Sequence, residues 1–175
     1  MPNFRITSSL SDLVDVNNVS FAQSQCQLGN LYSVVTGAQS VALGGFFVVQ
    51  LTNTANSTKT LYAHQLMISV TGNTAVDIFR NATFAAAGTA LTPRNLNWAA
   101  NDASSISGKF LVQATDPTIN GTPLISFVQT NAAPTVQNLP GSLIMPSSTS
   151  NRQLYFRMNC GALTTVSFCF SWVEL

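Results

Sequence analysis

The chain has 175 residues, enough for one domain with a sizeable core and too few for two of ordinary size. Lys and Arg total 7 and Asp and Glu total 6, so only 7% of residues are charged, and neutral polar types (16 Asn, 10 Gln, 19 Ser, 19 Thr) take their place. A net charge of +1 produces no field to draw in phosphate backbones or anionic lipid, which argues against a nucleic-acid partner, and it gives little protection against self-association.

Residues 1–30 read as an N-terminal arm. Met1-Pro2-Asn3-Phe4-Arg5 lacks the basic and apolar regions of a secretory signal, so such a signal is expected to have been removed or never to have existed. The apolar residues Phe4, Ile6, Leu10, Leu13 and Val14 are scattered without a strong turn dipeptide, and Ser9 ahead of Leu10, Leu13 and Val14 supports at most one helical turn. An extended arm with this much apolar surface needs cover. It either packs as a first strand on its own domain or adds itself to a neighbour's sheet edge, which makes those five residues candidate intersubunit contacts.

Residues 31–175 carry no helix-period stripe of useful length, whereas apolar and polar residues alternate repeatedly. Strands are expected at 31–36 and at 41–52, the second interrupted by Gly44-Gly45, a bulge or bend. Segments 62–70 and 75–80 flank Thr71-Gly72-Asn73-Thr74 and suggest a hairpin closed by a type II′ turn at Gly72. Further strands fall at 106–115 and 123–130, punctuated by Asp116-Pro117, Asn120-Gly121 and Pro140-Gly141. Segment 153–158 and the final one, 165–172, suggest a second hairpin across Gly161. In the final segment Val166, Phe168, Phe170 and Trp172 fall on one face and Ser167, Cys169 and Ser171 on the other. The expected fold is all-β: a two-sheet, jelly-roll-like β-sandwich of about eight strands with an extended N-terminal arm. No apolar run approaches the ~18 residues of a membrane span, so no membrane insertion is expected.

Catalytic chemistry is poorly provided for. The only histidine, His64, falls inside a strand and on simple alternation shares a face with Tyr62, Leu66 and Ile68, which suits a packed residue. The six acids are Asp12, Asp15, Asp77, Asp102, Asp116 and Glu174; only Asp12 and Asp15 are close in sequence, as capping or solvated residues of the arm. No Cys/His spacing suits zinc, no acidic loop suits calcium, and no glycine-rich loop suits a nucleotide, so no metal or cofactor is expected. Asn-x-Ser/Thr triplets begin at Asn18, Asn56, Asn81 and Asn120, as chance produces in such a composition. Trp172 reads as core, and Trp98 as the one plausible exposed stacking ring. Cys26, Cys160 and Cys169 cannot all pair within one chain. Either all three are packed thiols, or Cys26 bridges to Cys160 or Cys169 of a neighbouring subunit.

The stretch Val76-Asp77-Ile78-Phe79-Arg80-Asn81-Ala82-Thr83-Phe84, followed by Ala87-Gly88-Thr89-Ala90-Leu91-Thr92-Pro93-Arg94-Asn95-Leu96-Asn97, resembles a segment of β-sandwich structural proteins from tailed-phage virions and from surface fibres of spore-forming bacteria. The closing segment from Val166 to Trp172-Val173-Glu174 is similar to theirs. The resemblance implies a non-enzymatic, self-assembling subunit with no catalytic residues to carry over. The expected function is therefore a homo-polymer or homo-oligomer outside the cell, on a cell or spore surface, with a virion structural or decoration protein as the alternative. A carbohydrate-binding module using Trp98 is a further alternative from a different class.

Overall fold

The computed structural model describes residues 20–130, 134–139 and 143–175. Among these residues the chain forms one short helix, α1 (Phe21–Gln27), and twelve strands: β1 (Leu31–Val41), β2 (Phe46–Asn53), β3 (Leu61–Val70), β4 (Thr74–Arg80), β5 (Thr89–Leu91), β6 (Arg94–Asn95), β7 (Ile106–Gln113), β8 (Thr122–Gln129), β9 (Thr135–Asn138), β10 (Ile144–Met145), β11 (Arg152–Cys160) and β12 (Thr164–Glu174). Two antiparallel sheets pack face to face as an all-β sandwich. One has the order β10-β3-β12-β1-β6 with β9 also on β3, and the other the order β5-β7-β2-β11-β4-β8.

The winding is that of a rolled hairpin. β1 pairs with β12, β2 with β11, β3 with β9 and β10, and β4 with β8, so each pairing encloses the next. These strands make the jelly-roll skeleton, while β5, β6 and β7 are added between β4 and β8 on the far side of the sandwich. The count exceeds eight because short strands such as β6 and β10, each two residues long, leave no alternating pattern to read.

Both expected hairpins are absent. β3 and β4 lie in different sheets, as do β11 and β12. Alternation reports which face of a strand is buried and says nothing of its neighbour, and each of these strands gains two partners by crossing to the other layer. Gly72 does not adopt the positive φ of a type II′ turn; an added Cβ there would sit 2.7 Å from Thr164 Oγ1. It is small because two crossings meet there. Likewise the expected single strand 41–52 is two strands, with Gly44 at φ 70 turning the chain from one sheet to the other. The arm was expected to be extended up to residue 30, but residues 21–27 are helical, capped by the Ser20 side chain accepting from Gln23 N at 3.2 Å.

The core follows the alternation of β12. Val166, Phe168, Phe170 and Trp172 are all at most 1% exposed. Phe156 of β11 meets Phe168 and Phe170 from the opposite sheet at centroid distances of 4.9 and 5.2 Å, and Trp172 stacks on Phe170 and Tyr32. A second, smaller cluster lies on the outer face of the β2-β11-β4 layer, where residues 81–88 fold back so that Ala82 and Phe84 cover Val48, Phe79 and Tyr155. Lys109 fixes this cover, its Nζ 4.1 Å from the Phe84 ring centroid and donating to the carbonyls of Phe84 and Ala86 at 3.2 Å.

Candidate functional site

The sandwich manages its four sheet edges unequally. β1 is kinked by a bulge between Val35 and Ala38 in its ladder with β12, with Gly37 at φ 67. β9 is four residues long, and β5 is three. Such short or kinked edges resist pairing with another chain. β8 differs. It is eight residues long, it pairs only with β4 among the described residues, and its sequence Thr-Pro-Leu-Ile-Ser-Phe-Val-Gln has no charge. From Ile125 to Gln129 its register with β4 is unbroken, and Leu124, Ile125 and Val128 are exposed, Val128 at 66%. On the inner side Ile125 and Phe127 border a cleft against Leu66 and Leu139 of the facing sheet.

Where this edge meets the mouth of the sandwich there is a cavity of about 190 Å³, walled by Leu61, Leu124, Leu143, Met145 and Leu154. Two arginines line it. Arg152 precedes Leu154 by two residues on β11, and Arg80 lies directly opposite Leu154 on β4, so the pleat aims both toward the inner layer. Arg152 Nε is buried without a hydrogen-bond partner among the described residues, and neither arginine has an ion pair there. An unpaired guanidinium N–H at an apolar mouth is costly unless something supplies an acceptor.

The charges of Arg157, Asp77, Asp116 and Glu174 have partners within the fold. Arg157, on the outer face of β11, takes Asp77 at 2.8 Å and Asp116 at 2.5 Å, and stacks on Phe79 at 5.0 Å. Burial opposes the Asp116 charge, but hydrogen bonds from Thr118 and the adjacent Arg157 outweigh it and hold the carboxyl below its ordinary range. These two acids converge without any sequence signal, 39 positions apart, and the cation between them pairs with both. Tyr155 beneath them is fully buried, its phenol pushed up to about 12 by desolvation. Glu174 is 3% exposed and accepts from the Ser104 and Ser105 hydroxyls, from Ser105 N at 2.9 Å and from Trp172 Nε1 at 2.8 Å. Its burial could not be anticipated, because the serine donors come from an irregular segment 69 and 70 residues away.

Phe4, Ile6, Leu10, Leu13 and Val14, with Asp12 and Asp15, lie outside the described residues. The cysteines are apart from one another in the fold: Cys26 on α1, Cys160 at the end of β11 and Cys169 on the outer side of β12, all free thiols. Cys160 is fully buried, with Thr74 Oγ1 at 3.8 Å from its sulfur, which removes it from the reach of an arm arriving from outside. Burial raises the thiol pKa of both Cys160 and Cys169.

His64 does not share a face with Leu66 and Ile68. A register shift against Ser171-Trp172 leaves His64 unmatched and turns Leu61 and Ala63 inward before it, Leu66 and Ile68 inward after it. Trp98 is 96% exposed, in the segment following β6, and Trp172 is core. Asn56, Asn81 and Asn120 are the three described non-glycine residues with positive φ, so these asparagines are accounted for by turn geometry, whatever their Asn-x-Ser/Thr context.

Among the described residues no group of three His, Cys, Asp or Glu could hold a metal ion, and no helix is long and apolar enough to cross a membrane. No protein-family model, curated protein or solved structure matches the chain, so the likeness to fibre and virion subunits rests on the sequence segments that carry it.

Proposed function

We propose that the protein is a non-enzymatic structural subunit that self-assembles into an extracellular polymer, a bacterial surface or spore fibre, through exposed strand edges and its N-terminal arm. The observation that carries this reading is β8: an uncharged edge strand, unbroken in register from Ile125 to Gln129, with Leu124, Ile125 and Val128 exposed. Edges of that kind offer a row of backbone donors and acceptors together with apolar side chains, which is what strand addition between subunits needs. The low charge works in the same direction, since little repulsion opposes close approach of copies. Against an enzyme stand the ion-paired Asp77 and Asp116, the fully hydrogen-bonded Glu174 and a lone histidine in a bulge.

The jelly-roll winding, shared with many capsid domains, favours a virion structural protein as the second reading. Both readings predict homotypic assembly. Sedimentation velocity and negative-stain electron microscopy of the purified chain at micromolar concentration should reveal filaments, rings or closed oligomers. Val128→Lys puts a charge on the β8 edge at a largely exposed position and should reduce assembly without loss of fold. A monomer across salt and pH conditions, or a Val128→Lys variant that assembles like the parent, refutes the proposal.

A further inference from the structure

The geometry points to an occupant for the mouth beside β8: we infer that it receives the segment Leu10-Ser11-Asp12-Leu13-Val14-Asp15-Val16 from a second copy of this chain. The inference rests on the assembly reading above and specifies its donor and acceptor.

Charge accounting comes first. The chain has six acids, and four of them lie among the described residues. Asp77 and Asp116 are held by Arg157, Glu174 by serines and an indole, and none of the four forms an ion pair with Arg80 or Arg152. Three are left: Asp102, exposed in the polar stretch Asn101-Asp102-Ala103-Ser104, and Asp12 and Asp15, the two set among apolar residues, both within residues 1–19. Two carboxylates in an apolar segment match two guanidiniums at an apolar mouth, where Arg152 Nε has no partner among the described residues. Leu10, Leu13, Val14 and Val16 supply the side chains that walls of Leu61, Leu124, Leu143 and Leu154 would cover.

Position then favours a second copy. The described chain starts at Ser20 beside α1, and α1 is tied to the β6 edge by Asn95 Nδ2 donating to Gly29 O at 2.7 Å and Asn97 Nδ2 donating to Gln27 O at 3.0 Å. β6 is at one end of its sheet, and β10, whose Ile144 and Met145 line the mouth, is at the other. Four strand spacings, about 19 Å, separate these edges, whereas Val16 stands only four residues before Ser20 and reaches at most about 14 Å from it. Donor and acceptor therefore occupy opposite edges, so copies set side by side bring the donor edge of one against the acceptor edge of the next. Such a head-to-tail contact propagates into rings or filaments instead of closing as a dimer.

A photo-crosslinking residue placed at Leu13 in the full chain, followed by irradiation and peptide mapping, tests this directly. The expected product is a covalent dimer joining residue 13 to peptides containing Leu124, Leu143 or Leu154. Charge reversal gives a second, independent measurement. Asp12→Lys with Asp15→Lys, and Arg80→Glu with Arg152→Glu, should each weaken association by about tenfold or more, and mixing the two variants should restore one compatible contact. Oligomers whose crosslink maps elsewhere, or which ignore the reversals, overturn this inference and leave the assembly reading standing. Crosslinking to the mouth within a single chain overturns the second-copy assignment. A monomer with no crosslink at the mouth overturns both.

Discussion

Replacing Glu174 by glutamine tests how the buried carboxylate is held. Oε1 accepts from Ser104 Oγ and from Trp172 Nε1 at 2.8 Å, and Oε2 accepts from Ser105 N and Ser105 Oγ, both at 2.9 Å. An amide offers one oxygen and one NH₂. Serine hydroxyls can rotate to accept from it, but the indole and backbone N–H groups can only donate. Whichever way the amide turns, its NH₂ faces one of these two fixed donors. Orphaning one buried donor costs about 1–3 kcal/mol, and loss of charge assistance in the surviving bonds adds roughly 1 kcal/mol. The expected loss is about 2–4 kcal/mol, a large share of the ~5–15 kcal/mol that holds a typical domain folded. Ser105→Ala leaves both N–H donors paired and should lose only about 1 kcal/mol. Urea unfolding followed by tryptophan fluorescence measures both, since Trp172 is itself a donor. A loss below about 0.5 kcal/mol for Glu174→Gln, the range of an ordinary surface change, refutes the reasoning.

Tyr155 should give an alkaline slope. Its phenol keeps its proton in the fold up to about 12 but loses it near 10.0 when unfolded, so its stabilisation is complete below pH 10 and drains between pH 10 and about 12. The loss is roughly 3 kcal/mol, and Tyr155→Phe should flatten it in urea titrations across that window; an unchanged slope counts against burial as the cause. Gly121→Ala places a Cβ 2.5 Å from Ala82 Cβ at φ 93, and should cost more than about 2 kcal/mol by thermal unfolding; a neutral result means residues 81–83 move aside freely. In native thiol labelling Cys26 should react first and Cys160 only on unfolding, and Cys160 reacting as fast as Cys26 contradicts its burial. Non-reducing electrophoresis of the assembled protein should give a monomer band if no bridge links subunits, and a reductant-sensitive ladder if Cys26 bridges to Cys169.

The sequence is most informative where one strand carries its own record of burial. Val166, Phe168, Phe170 and Trp172 alternate with small polar residues, and that pattern alone places them in the core of an all-β fold. Neighbourhood leaves no such trace. Gly72 looks like a turn glycine whether it closes a hairpin or makes room for Thr164, and only the three-dimensional crossing distinguishes the two. The bulge at His64 shifts the buried face by one residue, and nothing in Tyr62-Ala63-His64-Gln65 signals it. The composition of β8 was readable as a strand, but its edge position was not, because that depends on which strand β4 has on its other side. The Arg80 and Arg152 pair was invisible for the same reason: their meeting point is Leu154, and register across β4 and β11 creates it.

The nested pairing has a consequence for synthesis. β11 stands between β2 and β4, and β12 between β1 and β3, so the centre of each sheet is supplied by residues 152–174. As the chain leaves the ribosome, β1 to β4 emerge first and have neither of their central partners. Phe47, Val49, Leu66, Ile68 and Ile78, all buried in the finished sandwich, then wait exposed until about a hundred further residues have been translated. At typical translation rates that delay lasts roughly 5–20 s, during which the nascent chain is at its most adhesive. Chains halted before β11 should be insoluble, and any chaperone that attends this protein should hold it in that interval and release it when the two closing strands arrive.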